Sequence, residues 1–211
     1  MIDSKLEKYA EEHSSKESEL LYRLNRETHI KALMPRMLSG AMQGKLLEML
    51  SCMIRPKHIL EIGTYTGYSA ICLAKGLPTD GVLHTIEKNP ELESIAKKYF
   101  VEAEIEHQII YHQGDALEII PQIKEFFDLV FLDADKENYL NYYHLIFDKL
   151  RSGAYILADN VFWSGKVLST PDQADKETLG IIEFNDFVQQ DDRVENVILP
   201  LRDGLSLIRK K

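Results

Sequence analysis

HILEIGTYTGYSA, residues 58–70, decides the fold. HILEI is an apolar run too short for a helix. Gly63 and Gly67 then break the chain, and a helical pattern begins near Tyr68. A strand that passes through a glycine-bearing loop into a helix opens a βα unit. The same succession recurs downstream. Apolar runs at 82–86, 107–112, 127–133 and 154–159 alternate with helix-like stretches near 67–77, 90–103, 115–124 and 137–150. Such alternation predicts right-handed βαβ crossovers and a mostly parallel sheet. The runs are apolar on both faces, as a sheet covered by helices on both sides requires.

The flanks complete one domain over 1–211, with N-terminal helices over 1–54 and an α/β core over 55–211. Residues 3–24 are polar with sparse apolar positions and predict an exposed helix. SGAMQGKLLEMLSCMI (39–54) carries Met42, Leu46, Leu47, Met49, Leu50, Met53 and Ile54 at helical spacing, with Ser39 as N-cap and Pro56 just beyond. Residues 160–174 read as a long loop, followed by a helix near 175–190. RVENVILPL and GLSLIRK, joined through Arg202-Asp203-Gly204, read as an antiparallel hairpin.

A net charge of −9 opposes general affinity for nucleic-acid backbones or anionic membrane surfaces. The N-terminus lacks an apolar core of signal-peptide type and no stretch has membrane-span length, so a cytoplasmic protein is expected. Cys52 and Cys72 both fall in apolar helical patterns and are expected as core thiols.

In an open α/β sheet, ligands collect beyond the C-terminal strand ends. Gly63 and Gly67 let the backbone approach a ligand, and the following helix start suits a carboxylate. Glu61 could take a hydrogen bond from an ammonium group. Glu87, closing the second strand, could bind the two hydroxyls of a ribose. A nucleoside with an amino-acid tail fits this set, and S-adenosylmethionine is one. The spacing G-x-x-x-G disfavours a nicotinamide-dependent oxidoreductase, which would prefer G-x-G-x-x-G. Asp115 and Ala116 end the third strand, where an adenine ring would be contacted; Asp115 reads equally well as a helix N-cap.

Asp133, and Asp159 with Asn160, close the next two strands. Two carboxylates and a carboxamide are hard oxygen donors that suit Mg²⁺, Ca²⁺ or Mn²⁺ rather than zinc. Lys136 follows Asp133 by three residues. An ordinary lysine is a poor base at neutral pH, and a neighbouring divalent cation with partial desolvation would lower its pKa and improve it. Tyr139, Tyr142 and Tyr143 are expected to pack on the sheet or on a partner chain. Trp163 reads as a wall for a planar substrate or as an interface residue. A non-catalytic binding module on the same scaffold is the remaining alternative, disfavoured by acids intact at both strand ends.

EIGTYTGYSA (61–70), FLDADKENYLNYY (131–143), ADNVFWSGKV (158–167) and PLRDGLSLIR (200–209) together resemble the cation-dependent O-methyltransferases related to caffeoyl-CoA O-methyltransferase and, more distantly, to catechol O-methyltransferase. The resemblance spans about residues 36 to 210. It implies the class I methyltransferase fold, a Rossmann-like seven-stranded sheet with an antiparallel last strand and helices on both faces. It implies that Ser39, Glu61, Gly63, Thr64, Ser69, Glu87, Asp115, Ala116 and Asp133 contact S-adenosylmethionine. It implies Asp133, Asp159 and Asn160 as ligands of a divalent cation, Mg²⁺ foremost, and Lys136 with Asp133 as the catalytic pair. The implied acceptor is a small aromatic vicinal diol of catechol or hydroxycinnamoyl type, and the implied assembly a homodimer. Asp203 matches an acid of the terminal hairpin with no role attached. Residues 1–35 show no alignable counterpart of the plant enzymes' substrate-recognition residues, which leaves a CoA ester without support.

Overall fold

The computed structural model describes residues 4–168 and 174–211. Its strands are β1 (His58–Ile62), β2 (Val82–Glu87), β3 (Ile109–Gln113), β4 (Phe127–Leu132), β5 (Leu150–Asp159), β6 (Val194–Leu199) and β7 (Leu205–Lys210). They form a seven-stranded sheet in the order β3-β2-β1-β4-β5-β7-β6. The first five strands run parallel, and β7 is antiparallel to both β5 and β6. The expected architecture is therefore the observed one. The chain winds outward from β1 to β3 and returns to β4 on the other side of β1. That reversal is the switch point at which such sheets open a crevice.

Two apolar layers hold the sheet. Leu60, Ile62, Ile86, Val130, Leu132 and Ile156 lie under α6 (Ala116–Ile119), α7 (Tyr139–Phe147) and α8 (Lys176–Gln190). Ile59, Leu83, Leu129, Phe131 and Leu157 face α3 (Gly40–Ile54), α4 (Tyr68–Ala74) and α5 (Glu93–Glu102). Each such side chain, fully buried, contributes about 1.5–3 kcal/mol. The register brings the strand ends level: Ile62 pairs with Ile86 and Leu132, and Leu132 pairs with Ala158. Gly63, Glu87, Asp133 and Asp159 consequently sit abreast at one edge.

The N-terminal region departs from expectation. In place of one exposed helix there are two, α1 (Ser4–Glu12) and α2 (Glu19–Lys31). Ser18 caps α2 by accepting the Leu21 N–H at 3.3 Å. The sparse apolar positions form a narrow stripe whose Leu21, Leu24 and Thr28 are buried, and Thr28 donates to the Thr66 hydroxyl at 2.9 Å. The buried face of α3 is Gln43, Gly44, Leu47 and Ser51, while Met49 and Met53 are 57% and 77% exposed. Small residues are selected there because α3 presses on α4: a Cβ on Gly44 would lie 2.5 Å from the Tyr68 ring. Cys52 is exposed on the same helix, and Cys72 is buried as expected. Ser39 precedes α3 but has helical backbone angles and makes no capping bond through its side chain. Of the long loop, Trp163–Leu168 forms 3₁₀ turns across a kink, and 169–173 lie outside the described residues. No helix among the described residues is long and apolar enough to cross a membrane.

Candidate active site

The level strand ends floor a cavity of about 1840 Å³. Ser39, Gly63, Thr64, Ser69, Glu87, Asp115, Ala116, Asp133, Lys136, Asp159 and Asn160 all line it. Glu61, of the same predicted set, is not in the wall and is fully buried.

One end of the cavity is built on the β1–α4 loop. Gly63 has φ +100°, and a Cβ there would lie 2.0 Å from the backbone oxygen of Asp133. Glycine is required on both counts. The Gly63 and Thr64 N–H groups donate to the Ile86 carbonyl at 3.0 and 3.2 Å. Thr64 and Thr85 share a hydroxyl contact of 2.5 Å, and Thr85 donates to Glu61 Oε2 at 2.5 Å. Glu61 Oε1 has no hydrogen-bond partner. Burial pushes this carboxyl up to about 8, with the Ser69 and Thr85 hydroxyls pulling partway back. Glu87 accepts the N–H groups of Tyr65 at 2.7 Å and Asn89 at 2.8 Å, yet burial still raises its pKa. Asp115 does cap α6, accepting the Leu117 N–H at 2.9 Å, and pairs with Lys88 at 3.0 Å. Those two contacts hold its carboxyl below the usual range.

The other end is built on β4 and β5. Lys136, 4% exposed, donates to Asp133 Oδ1 at 3.0 Å and to the Tyr139 hydroxyl at 2.5 Å. That hydroxyl lies 3.1 Å from the Leu132 carbonyl and 3.0 Å from that of Asp159, so Tyr139 clips the ends of both strands. Asp159, 3% exposed, accepts Gln43 Nε2 at 2.7 Å on one oxygen and the Asn160 N–H at 2.9 Å on the other. Burial, and then the charge of Asp133, push Asp159 up to about 6. Among the described residues no three His, Cys, Asp or Glu side chains are placed to hold a metal ion. Asp133, Asp159 and Asn160 all line this end of the cavity.

Trp163 lines this end, with Lys136 Nζ 5.8 Å from its ring centroid. The β6–β7 turn holds the loop that carries it. Phe162 and Ser164 donate N–H groups to the Asp203 carbonyl (2.9 Å) and to its Oδ1 (2.7 Å), and the Val161 N–H donates to the Gly204 carbonyl at 3.1 Å. Asp203 thereby gains a part that the sequence left open. Tyr139, Tyr142 and Tyr143 are buried as expected, but the bond between Tyr139 and Lys136 was not foreseen. Gln43 and Arg202 were missed outright. The available signal was a glutamine on the face of α3 that must turn inward.

Comparison with known proteins agrees with this layout. The sequence model of the O-methyltransferase family matches residues 11–211. Caffeoyl-CoA O-methyltransferase 5 of Nicotiana tabacum is 34% identical over 185 residues, covering 82% of this chain and 77% of that one. Among solved structures, the O-methyltransferase TomG of Streptomyces achromogenes, involved in tomaymycin synthesis and crystallised with S-adenosylmethionine, superposes with a TM-score of 0.92 at 31% identity, covering 100% of both chains. An O-methyltransferase of Bacillus cereus in complex with S-adenosylhomocysteine gives 0.90 at 28%, covering 98% of this chain and 97% of that one.

Proposed function

Because the chain belongs to the O-methyltransferase family, and so is an enzyme that moves a methyl group from S-adenosylmethionine to oxygen, we propose that its acceptor is a small aromatic vicinal diol held at a divalent cation. Family membership sets aside the nicotinamide alternative. The observation that carries the proposal is the Asp133–Asp159 pair: two carboxylates level on adjacent strands, with the Lys136 ammonium on one of them, in the cavity that also holds the glycine loop.

The donor set fits a hard cation. Asp159 is destabilised as an anion by burial and by Asp133, with Gln43, Lys136 and Arg202 only partly offsetting this. A positive charge between the two acids would remove that penalty. Asp133, Asp159 and Asn160 would hold the ion, Mg²⁺ foremost. When bound, such a cation supplies Lewis acidity, so that a phenol of ordinary pKa near 10 ionises at neutral pH. Lys136, pinned between Asp133 and Tyr139, steers the departing proton away from the acceptor oxygen. Trp163 walls the aromatic ring, and the loop tied to Asp203 sets how deep the ring can enter.

At the other end, Glu87 takes the ribose hydroxyls, and Asp115 with Ala116 faces the adenine. Gly63 and Ser69 border the amino-acid tail, and Ser39 closes the cavity from α3. The Thr64 hydroxyl is committed to Thr85, so Thr64 contributes shape. Glu61 sits behind the wall of the cavity, and its unpartnered Oε1 would meet the ammonium group only once the cofactor has entered past Ser69. The chemistry is in-line displacement at the sulfonium methyl, and the protein's share is alignment, largely entropic.

Chelation tests the cation. Turnover of a catechol should stop in excess chelator and return with Mg²⁺; full activity in chelator would eliminate the ion from the reaction. A second expectation concerns Glu61. Its pKa is raised from 4.5 to about 8, so the stability lent by its proton is complete below about pH 4.5 and lost as the pH rises through about 8. An ammonium group favours the ionised carboxylate, so cofactor uptake at pH 7 should expel about one proton. Calorimetry in buffers of different ionisation enthalpy counts it. Glu61→Gln should bring the count to near zero, and uptake without proton release in the wild type would remove Glu61 from the ammonium contact.

A further inference from the structure

The turn between β6 and β7 holds a residue whose backbone is unfavourable and whose side chain is fully committed. Arg202 has φ +49°, a left-handed conformation that glycine adopts without strain and a side chain rarely does. Its guanidinium donates to the carbonyls of Ser39 and Leu38, the latter at 3.3 Å, and to Gln43 Oε1 at 2.5 Å. Gln43 is 1% exposed, and its Nε2 donates to Asp159 Oδ2 at 2.7 Å.

Chemistry fixes the sense of this chain of bonds. A guanidinium has donors only, so the carboxamide turns its oxygen to Arg202. The amide nitrogen is then left facing the carboxylate, which accepts. With the carboxamide rotated the other way, donor would meet donor and oxygen would meet oxygen. The second oxygen of Asp159 is held by the Asn160 N–H at 2.9 Å, so the carboxylate is fixed at both ends. A strained backbone that persists beside a functional site calls for a use, and nothing in methyl transfer as described above employs Arg202.

We propose that Arg202 is a positioning residue for Asp159: by locking the Gln43 carboxamide, it sets how the carboxylate faces the cavity and hence the affinity of the site for a divalent cation. The inference rests on the cation reading given under the proposed function. Groups that orient metal ligands typically govern affinity by 10–100-fold.

Arg202→Gly is the informative variant, because glycine keeps the left-handed turn while the guanidinium is lost with its side chain. The protein is studied at full length with S-adenosylhomocysteine bound. Its melting temperature should stay near the wild-type value. The Gln43 side-chain amide proton, displaced in the NMR spectrum by its carboxylate partner, should move to the position of a free amide. The Mn²⁺ dissociation constant, read by electron paramagnetic resonance, should rise about tenfold or more while that of S-adenosylhomocysteine is unchanged. Gln43→Leu should show the same Mn²⁺ loss, and the double variant should be no worse, since both changes break one chain.

An unmoved amide signal, wild-type Mn²⁺ affinity in Arg202→Gly, or additive losses in the double variant would each overturn the inference. So would a fall in melting temperature with equal loss of both ligands, which is the signature of a merely structural arginine. A wild-type protein without Mn²⁺ affinity refutes the cation reading and this inference with it. That result is told apart from the others, which are measured against a wild type that binds.

Discussion

Asp133→Ala is expected to lower kcat by about a thousandfold, with cofactor affinity changed by severalfold at most. The side chain serves two purposes. It offers an oxygen level with Asp159, and it holds Lys136 Nζ at 3.0 Å. If Asp133 is a cation ligand and the anchor of a proton-steering lysine, as proposed above, its loss removes several kcal/mol of transition-state stabilisation, and each 1.4 kcal/mol is about a decade in rate. The backbone of residue 133 does different work. Its N–H donates to the Ile62 carbonyl at 2.9 Å, and its carbonyl abuts Gly63. Both survive the substitution, so the cofactor end of the cavity should stay intact. Calorimetry for the cofactor and single-turnover methyl transfer separate the two effects. A variant that keeps kcat within tenfold while still requiring a cation would show that the metal is held elsewhere.

Gly63→Ala is expected to be among the most damaging exchanges of a single hydrogen for a methyl group in the chain. The added carbon would sit 2.0 Å from the Asp133 oxygen and 2.8 Å from its carbonyl carbon, and backbone atoms cannot swing aside. The φ of +100° adds strain. Together these place the cost at about 4 kcal/mol or more. For a domain of this size the melting temperature should fall by roughly 10 °C. Any protein that still folds must part the ends of β1 and β4, and a displacement on the order of 1 Å at the reacting groups costs about a hundredfold in rate. Gly153→Ala is the control: its φ of +81° carries the strain, but an added Cβ there meets nothing within 4 Å. It should cost about 1 kcal/mol and leave kcat alone. Equal melting temperatures for the two variants would dismiss the steric argument.

The sheet was legible because parallel strands buried on both faces leave continuous apolar runs, and because polar residues at their ends had no structural reason to be acids. Asp133, Asp159 and Glu87 could therefore be placed at the open ends of the strands, and they line the cavity there. Gln43 and Arg202 could not. Their partners lie in segments far apart in the chain, on a helix face and in a turn, and no local spacing announces such a bond. The face of α3 was misjudged for a related reason. Hydrophobic periodicity pointed to its methionines, whereas the helix is packed through Gly44 and Ser51, whose small size carries no hydropathy signal. In the same way Ser39 looked like a cap but contributes a carbonyl to Arg202, a main-chain role that residue identity does not encode.

The contact between Gly63 and the carbonyl of Asp133 joins the two halves of the reaction centre through main chain alone. Methyl source and oxygen nucleophile are consequently registered by the same rigid frame, and no hinge has to swing to bring them into range. Selectivity is a separable matter. On the proposed reading it belongs to the stretch Val161–Ser164, whose N–H groups are fastened to the frame by bonds to Asp203 and Gly204. That stretch could then be rewritten for a new acceptor without retuning the distance over which the methyl group travels.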